Sequence, residues 1–410
     1  MAVETLKQKV NFEKTYYYLI LLFAFTLPLS RASVSLFITL LPLLWLFEGN
    51  FKTKWIQIKE EKSLLFLSLF IFIIALSVFW TQNLQDALRP LRMLLYLTTA
   101  FVIATSLNKK YIYPIITAFL YGMLISEIIA YGVYFELWQF KHATPQNPSP
   151  FMFHIDYSVF LAFTSILLLN RLVSQRYKLK EKILIALFFI TVTGNLFLSI
   201  GRTGQVALIV AIIVMSILHF RLSFKTLFLS SVFLVLLYSL AYFSSPNFKA
   251  RVSLAQDDIS KIFHSNYDSS WGIRALFWRT TASIIQENPL GVGIGDFKDA
   301  TKFELQKQKY NTLISPQTKE FMSHNHPHNQ YLLILLESGI IGLIAFFTFL
   351  FYFIKLKIED IELKELSLLF ITIYMVSFLA EPLLIKQFTV ALFALFLGLF
   401  SASHSIKGNS

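Results

Sequence analysis

Residues 330–354 read QYLLILLESGIIGLIAFFTFLFYFI, with Glu337 as the one charge in twenty-five positions. A helix needs about 20 predominantly apolar residues to cross the hydrocarbon of a bilayer, so this stretch is expected to span one. Further runs of the same character lie at 16–30, 33–47, 63–80, 91–107, 111–136, 151–170, 183–200, 205–220, 227–243, 366–385 and 388–403. Several are short, but flanking side chains that snorkel relax the length requirement. The fold expected is therefore an all-α integral membrane protein with about 12 transmembrane helices. Apolar runs continue from end to end, so residues 1–410 are read as a single polytopic membrane domain.

Composition agrees: 56% of the 410 residues are hydrophobic, well above the share in a soluble domain. Cysteine is absent, which excludes disulfides, thiolate metal sites and cysteine nucleophiles. Lys7, Lys9 and Lys14 precede the first apolar run as in a signal peptide, but no small-residue cleavage site follows. That run is expected to stay as the first span.

The net charge of +12 would suggest nucleic acid in a soluble protein. Here it reads as topology. With the N-terminus inside, the inner connections and termini hold 20 lysines and arginines, among them Lys109, Lys110, Arg171, Arg176, Lys178 and Lys355. The short outer connections hold 6: Arg31, Arg89, Arg92, Lys141, Arg202 and Lys386. Basic residues accumulate on the cytoplasmic side, so both termini are expected there and no nucleic-acid partner is expected.

One connection is long. Residues 244–329 fall on the outer face, mix both signs of charge with aromatics, and so are not a flexible linker. Within them, Ile273 to Gln286 reads as a helix with Leu276, Phe277, Thr280 and Ile284 on one side, a stripe suited to the membrane surface or to the bundle. Pro289 and the glycines after it end that helix.

The candidate chemistry gathers at the outer interface. His324, His326 and His328 alternate just before residue 330. An extended segment would let them hold a metal, yet no carboxylate stands nearby at ligand spacing. The other readings are a polar interfacial loop, or a histidine acting as general base. Arg202 lies in the turn Ser199-Ile200-Gly201-Arg202-Thr203-Gly204. An arginine at membrane depth is costly, and its fork matches phosphate oxygens; the plainer alternative is a snorkelling interfacial side chain. Arg274 and Arg279 lie on the loop helix, where a solvated surface charge is the commoner fate. Gly291-Val292-Gly293-Ile294-Gly295 looks like a dinucleotide fingerprint but lacks the strand and helix around it, and is read as a turn. Gly339 and Gly342 are small enough for another helix to pack closely against residues 330–354. Glu127, Asp156 and Glu337 are carboxylates in apolar context with no legible role.

These residues resemble the O-antigen ligase and polymerase superfamily of bacterial envelopes. His328-Asn329, nine residues, Gly339, two residues and Gly342 are similar to the ligases' histidine motif. Gly201-Arg202-Thr203-Gly204 resembles the family's arginine turn, and the stretch from Trp271 to Gly293 resembles the loop segment with its second arginine. The resemblance implies a glycosyltransferase of the bacterial inner membrane that acts on the periplasmic face. It moves a glycan from undecaprenyl diphosphate to a sugar hydroxyl of lipid A-core. Arg202 and Arg274 would bind the donor diphosphate, with Arg279 as a substitute for the latter, and His328 would activate the acceptor. His326 and Asn329 would contact substrate beside it. No cofactor is implied, since two arginines can neutralise a diphosphate leaving group that other enzymes give to a metal.

An O-antigen polymerase and a protein O-oligosaccharyltransferase share the fold, and the histidine spacing favours the ligase. A transporter would bind near the midplane through broken helices and repeated halves. No repeat is evident here, and the charged candidates lie at the outer interface.

Overall fold

A computed structural model describes residues 11–220, 246–263, 267–310 and 313–403, with scattered positions between 228 and 243. Among the described residues the protein is helical without strands, save one isolated bridge between Thr144 and Asn147. The first helices are α1 (Phe12–Thr26), α2 (Arg31–Glu48), α3 (Phe51–Glu60), α4 (Lys62–Leu76), α5 (Leu84–Ser106) and α6 (Ile112–Tyr134). There follow α7 (His154–Val173), α8 (Leu179–Leu198) and α9 (Arg202–Phe220). The long connection holds α10 (Pro246–Phe263), α11 (Ser270–Glu287), α12 (Phe297–Leu305) and α13 (Pro316–His324). The chain closes with α14 (Gln330–Ile354), α15 (Ile361–Phe378) and α16 (Gln387–Ala402).

Helices suit this composition because lipid offers backbone groups no partner, so each must be satisfied within its own segment. Among the described residues, eight helices are long and apolar enough to cross a membrane: α2, α4 with its extension to Trp80, α5, α6, α7, α8, α9 and α14. That is fewer than the dozen expected, for local reasons. Helices α1 and α16 are apolar but have only 15 and 16 residues. The first two turns of α15 carry Glu362, Lys364 and Glu365. The run at 227–243 lies largely outside the described residues.

Helix α16 is enclosed by its neighbours. Every residue from Phe388 to Ser401 is buried. Aromatic rings fill the space around it: Phe163 and Tyr374 approach Phe396 and Phe393 at 4.5 and 4.9 Å between centroids. Each such pair adds about 0.5–1.5 kcal/mol beyond its burial, and in lipid this packing is what draws helices together.

The connections sort to the two ends of the bundle. At one end Lys110 meets Glu13 at 2.8 Å, and Arg176 bridges Asp360 at 2.7 Å and Glu362 at 3.1 Å. At the other end Gln387 Nε2 donates to the Arg31 carbonyl at 2.9 Å. Thus the turns grouped as inner by their charge meet each other, and so do turns grouped as outer.

The helices of the long connection have a small core of their own. The expected stripe on α11 is buried, with Leu276 and Phe277 packed among Leu305, Tyr310, Ile314 and Met322. Ile284 turns instead to Phe297 and to Leu333 and Leu336 of α14. Two anchors then fix the connection to the bundle. Asp296 accepts bonds from Thr81 Oγ1, the Gln82 N–H and the Asn83 N–H at 2.8, 2.5 and 3.0 Å. The second anchor is an interruption of α14 at Gly339, whose φ of 65° only glycine adopts freely.

At that interruption Val292 and Gly293 N–H groups donate to the Leu336 and Glu337 carbonyls, and Ile340 N–H donates to the Pro289 carbonyl. Gly295 N–H reaches the Glu337 side chain at 3.0 Å. The glycine run after Pro289 is a turn, as expected, with positive φ at Gly291, Gly293 and Gly295. The close approach at Gly339 is a correction, however. Loop backbone, at Pro289 and Leu290, occupies the space that a Cβ would need, where a neighbouring helix was expected. Glu337 holds this loop, a role its apolar surroundings did not disclose.

Candidate active site

The chain enters α14 through a compact reversal. Asn329 caps the helix, its side chain accepting the Leu332 N–H at 3.0 Å, while its amide donates to the Leu379 carbonyl at 3.2 Å. The residue before it, His328, has a left-handed φ of 49°. Such strain in a non-glycine residue needs support from its surroundings and is often found at functional sites.

The support comes from Glu381, in the turn between α15 and α16. This carboxylate is almost wholly buried, at 1% exposure. Its Oε2 lies 3.0 Å from His328 Nδ1. Its Oε1 lies 3.3 Å from His326 Nε2 and 2.7 Å from Lys386 Nζ. Lys386 in turn lies 3.5 Å from Asp156 Oδ1 on the first turn of α7. The Glu381 carboxyl has a pKa of about 2: burial opposes ionisation, but the bond from His328 and the charge of Lys386 outweigh it.

An ionised carboxylate only accepts, so His328 donates to it through Nδ1. That assigns the proton of His328 to Nδ1 and leaves Nε2 with a free lone pair. His326 Nδ1 accepts the His328 backbone N–H at 3.3 Å, which puts its own proton on Nε2, the nitrogen 3.3 Å from the carboxylate. Accepting that bond at Nδ1 requires the neutral ring. Burial pushes its pKa down to about 4, which preserves that form. The two rings are equally exposed, at 23%, and differ in bonding: His326 supports the His328 backbone, while His328 keeps Nε2 to offer. The His328 ring lies parallel to Phe321 and edge-on to Phe277, at 6.3 and 6.4 Å.

Arg274 lies one turn before Phe277 on α11. The charges of Glu381 and Asp258 act on its guanidinium, while burial holds its pKa below the usual arginine value. Arg202 opens α9 at the tight turn read from the sequence. There Gly204 N–H donates to Ser158 Oγ at 3.1 Å, and a Cβ on Gly201 would strike Ser158 and the His154 carbonyl. This sets Arg202 against the first turn of α7, which also carries Asp156. Arg279 is exposed and lies away from the buried stripe of α11. His324 is the last residue of α13, its Nδ1 2.8 Å from the Glu320 carbonyl, so the three histidines form no extended row.

Two site residues were missed. Glu381 stands 53 positions beyond His328, in no motif, and Lys386 was counted only as a topology charge. Glu381 falls inside the run read as 366–385, so no pattern in the sequence ties it to the histidines. His326, His328 and Glu381 offer three ligand atoms within 4.8 Å of one another, a donor set that suits a transition metal. The Lys386 ammonium already neutralises that carboxylate and opposes a second cation there.

Residues 186–347 match the family model described as O-Antigen ligase, a span that takes in Arg202, Arg274, His326, His328 and Asn329. An uncharacterized protein of Haemophilus influenzae is 26% identical over 324 residues, covering 76% of this chain and 77% of the relative. The match over residues 186–347 supports membership of the O-antigen ligase superfamily for a chain whose described residues include eight helices long and apolar enough to cross a membrane.

Proposed function

We propose that this protein is an O-antigen ligase, transferring a glycan from undecaprenyl diphosphate to a sugar hydroxyl of lipid A-core. The observation that carries this reading is the contact between ionised Glu381 and His328 Nδ1, which leaves Nε2 as a base at the mouth of α14. The acceptor hydroxyl oxygen attacks the anomeric carbon as its proton passes to His328 Nε2. The bond from that carbon to the diphosphate breaks, and undecaprenyl diphosphate leaves with the electron pair. Configuration inverts in this single displacement. Glu381 stabilises the imidazolium that forms, and Arg202 and Arg274 bind the charge that develops on the leaving group. Each guanidinium can form paired, charge-assisted bonds to phosphate, so no metal is needed for that role.

In this reading the protein lies in the bacterial inner membrane with both termini cytoplasmic, about a dozen spans and the 244–329 connection in the periplasm. Asn329 and His326 position His328 and leave contact with substrate to it. The test is to incubate purified protein with undecaprenyl-diphosphate-linked glycan and lipid A-core. Glycosylated lipid A-core supports the ligase. Longer donor-linked polymer would make the protein a polymerase, a glycosylated protein acceptor would make it an oligosaccharyltransferase, and no new glycosidic bond would contradict a transferase of any kind. Loss of activity in chelator, restored by Mg²⁺, would contradict the metal-free mechanism.

A further inference from the structure

A second binding feature lies at the other end of the bundle, away from the histidines. Helices α6, α7 and α8 leave a lateral groove of about 480 Å³ between them. Its walls are apolar, with Leu120, Leu124, Leu168, Leu187 and Phe188 among them, and its one charged lining residue is Arg171. Tyr121, Leu184 and Leu187 on its rim are exposed on the bundle's flank, where the neighbouring medium is lipid. From Thr117 to Leu124 the groove follows α6 for about 10 Å toward the middle of the bundle.

Arg171 is two residues from the end of α7, beside the basic turn that continues with Arg176, Lys178, Lys180 and Lys182. It donates to Thr117 Oγ1 at 2.9 Å and lies over the Tyr177 ring at 5.4 Å. Among the described residues no carboxylate is within ion-pair distance of it. The nearest candidate, Glu362, is engaged by Arg176 Nε at 3.1 Å and by Ser174 Oγ at 2.5 Å. Next to Arg171, the buried Asn170 Nδ2 also has no hydrogen-bond partner among the described residues.

A lone guanidinium at headgroup depth, above an apolar channel open to the side, complements one phosphate joined to an acyl chain. We infer that this groove binds an anionic glycerophospholipid of the leaflet that faces the basic turns, its phosphate on Arg171 and an acyl chain against Leu124 and Leu187. Basic pockets between membrane helices bind anionic headgroups in this way, through guanidinium–phosphate hydrogen bonds. The site is separate from the proposed transfer reaction and does not depend on it.

The test is native mass spectrometry of the full chain, supplied with equal amounts of phosphatidylglycerol and phosphatidylcholine. Wild type should retain one phosphatidylglycerol in preference, and Arg171→Gln should weaken that preference by about fivefold, the contribution of one basic residue near a membrane surface. Leu187→Trp, which fills the groove from an exposed position and leaves the charge intact, should also expel the lipid. Inorganic phosphate should not displace it. Equal retention of the two lipids by wild type, or unchanged preference in both folded variants, would overturn the inference. Displacement by inorganic phosphate alone would overturn the lipid assignment in favour of a simple anion site.

Discussion

His328 has its character from residues that share no motif with it. The arginine turn, the loop arginine and the histidine were legible because each sits in a short pattern on one expected face. Glu381 was not, because a carboxylate inside an apolar run announces nothing until folding brings it to an imidazole. Its replacement is the sharper probe. Glu381→Gln keeps the shape but removes the charge that fixes the tautomer and stabilises the imidazolium, and transfer should fall by roughly 10²-fold or more with insertion unchanged. Near-wild-type turnover would show that His328 acts without its partner. The cluster should also be sensitive to acid. With His326 held at a pKa of about 4 in the fold, the unfolded chain carries a proton between that value and the ordinary 6.5 that the folded chain lacks. Its contribution to stability is therefore complete above 6.5 and lost as pH falls toward 4. Glu381, ionised down to about 2, adds its own loss only below the usual carboxylate range. The thermal midpoint in detergent should drop between pH 7 and 5, and less so in His326→Gln. A wild-type midpoint that is flat over that range would contradict the assignment of neutral His326.

Helix α11 illustrates what periodicity can disclose about an element. Spacing of three and four residues picked out Leu276, Phe277, Thr280 and Ile284, and all four are buried. It did not tell whether membrane or protein covers them; the answer is divided between the connection's own core and α14. Helix α14 shows the converse. Residues 330–354 read as one uninterrupted span, and hydropathy cannot reveal that the backbone breaks at Gly339 to accept the Pro289–Gly293 strip. A side chain at Gly339 would face both a positive φ and the loop backbone. Gly339→Ala should therefore destabilise the protein by about 1–3 kcal/mol and loosen the connection, seen as a lower thermal midpoint and faster proteolysis between residues 270 and 324. Unchanged proteolysis would mean that Asp296 alone secures the connection, through its bonds to residues 81–83.

For the molecule as a whole, the charge count was the most informative reading, because the same asymmetry that orients a chain also sorts its turns. The structure gathers Glu13, Lys110, Arg176 and Asp360 at one end and Asp156, His328, Glu381 and Lys386 at the other. The number of spans was less legible, since α16 is enclosed by protein and α15 begins with charges, and neither satisfies a rule written for helices in lipid. The natural absence of cysteine makes orientation easy to test. A cysteine at Lys302 should react with an impermeant maleimide in intact spheroplasts, and one at Gln175 only after permeabilisation. The reverse pattern would invert the proposed topology. The central claim is glycosyl transfer with His328 as base, and its most direct test is the initial rate of product formation by wild type and His328→Ala, with donor, acceptor and chelator present. The account predicts glycosylated lipid A-core from wild type and a loss of roughly 10²–10⁴-fold in the variant; equal rates from the two folded proteins would contradict it.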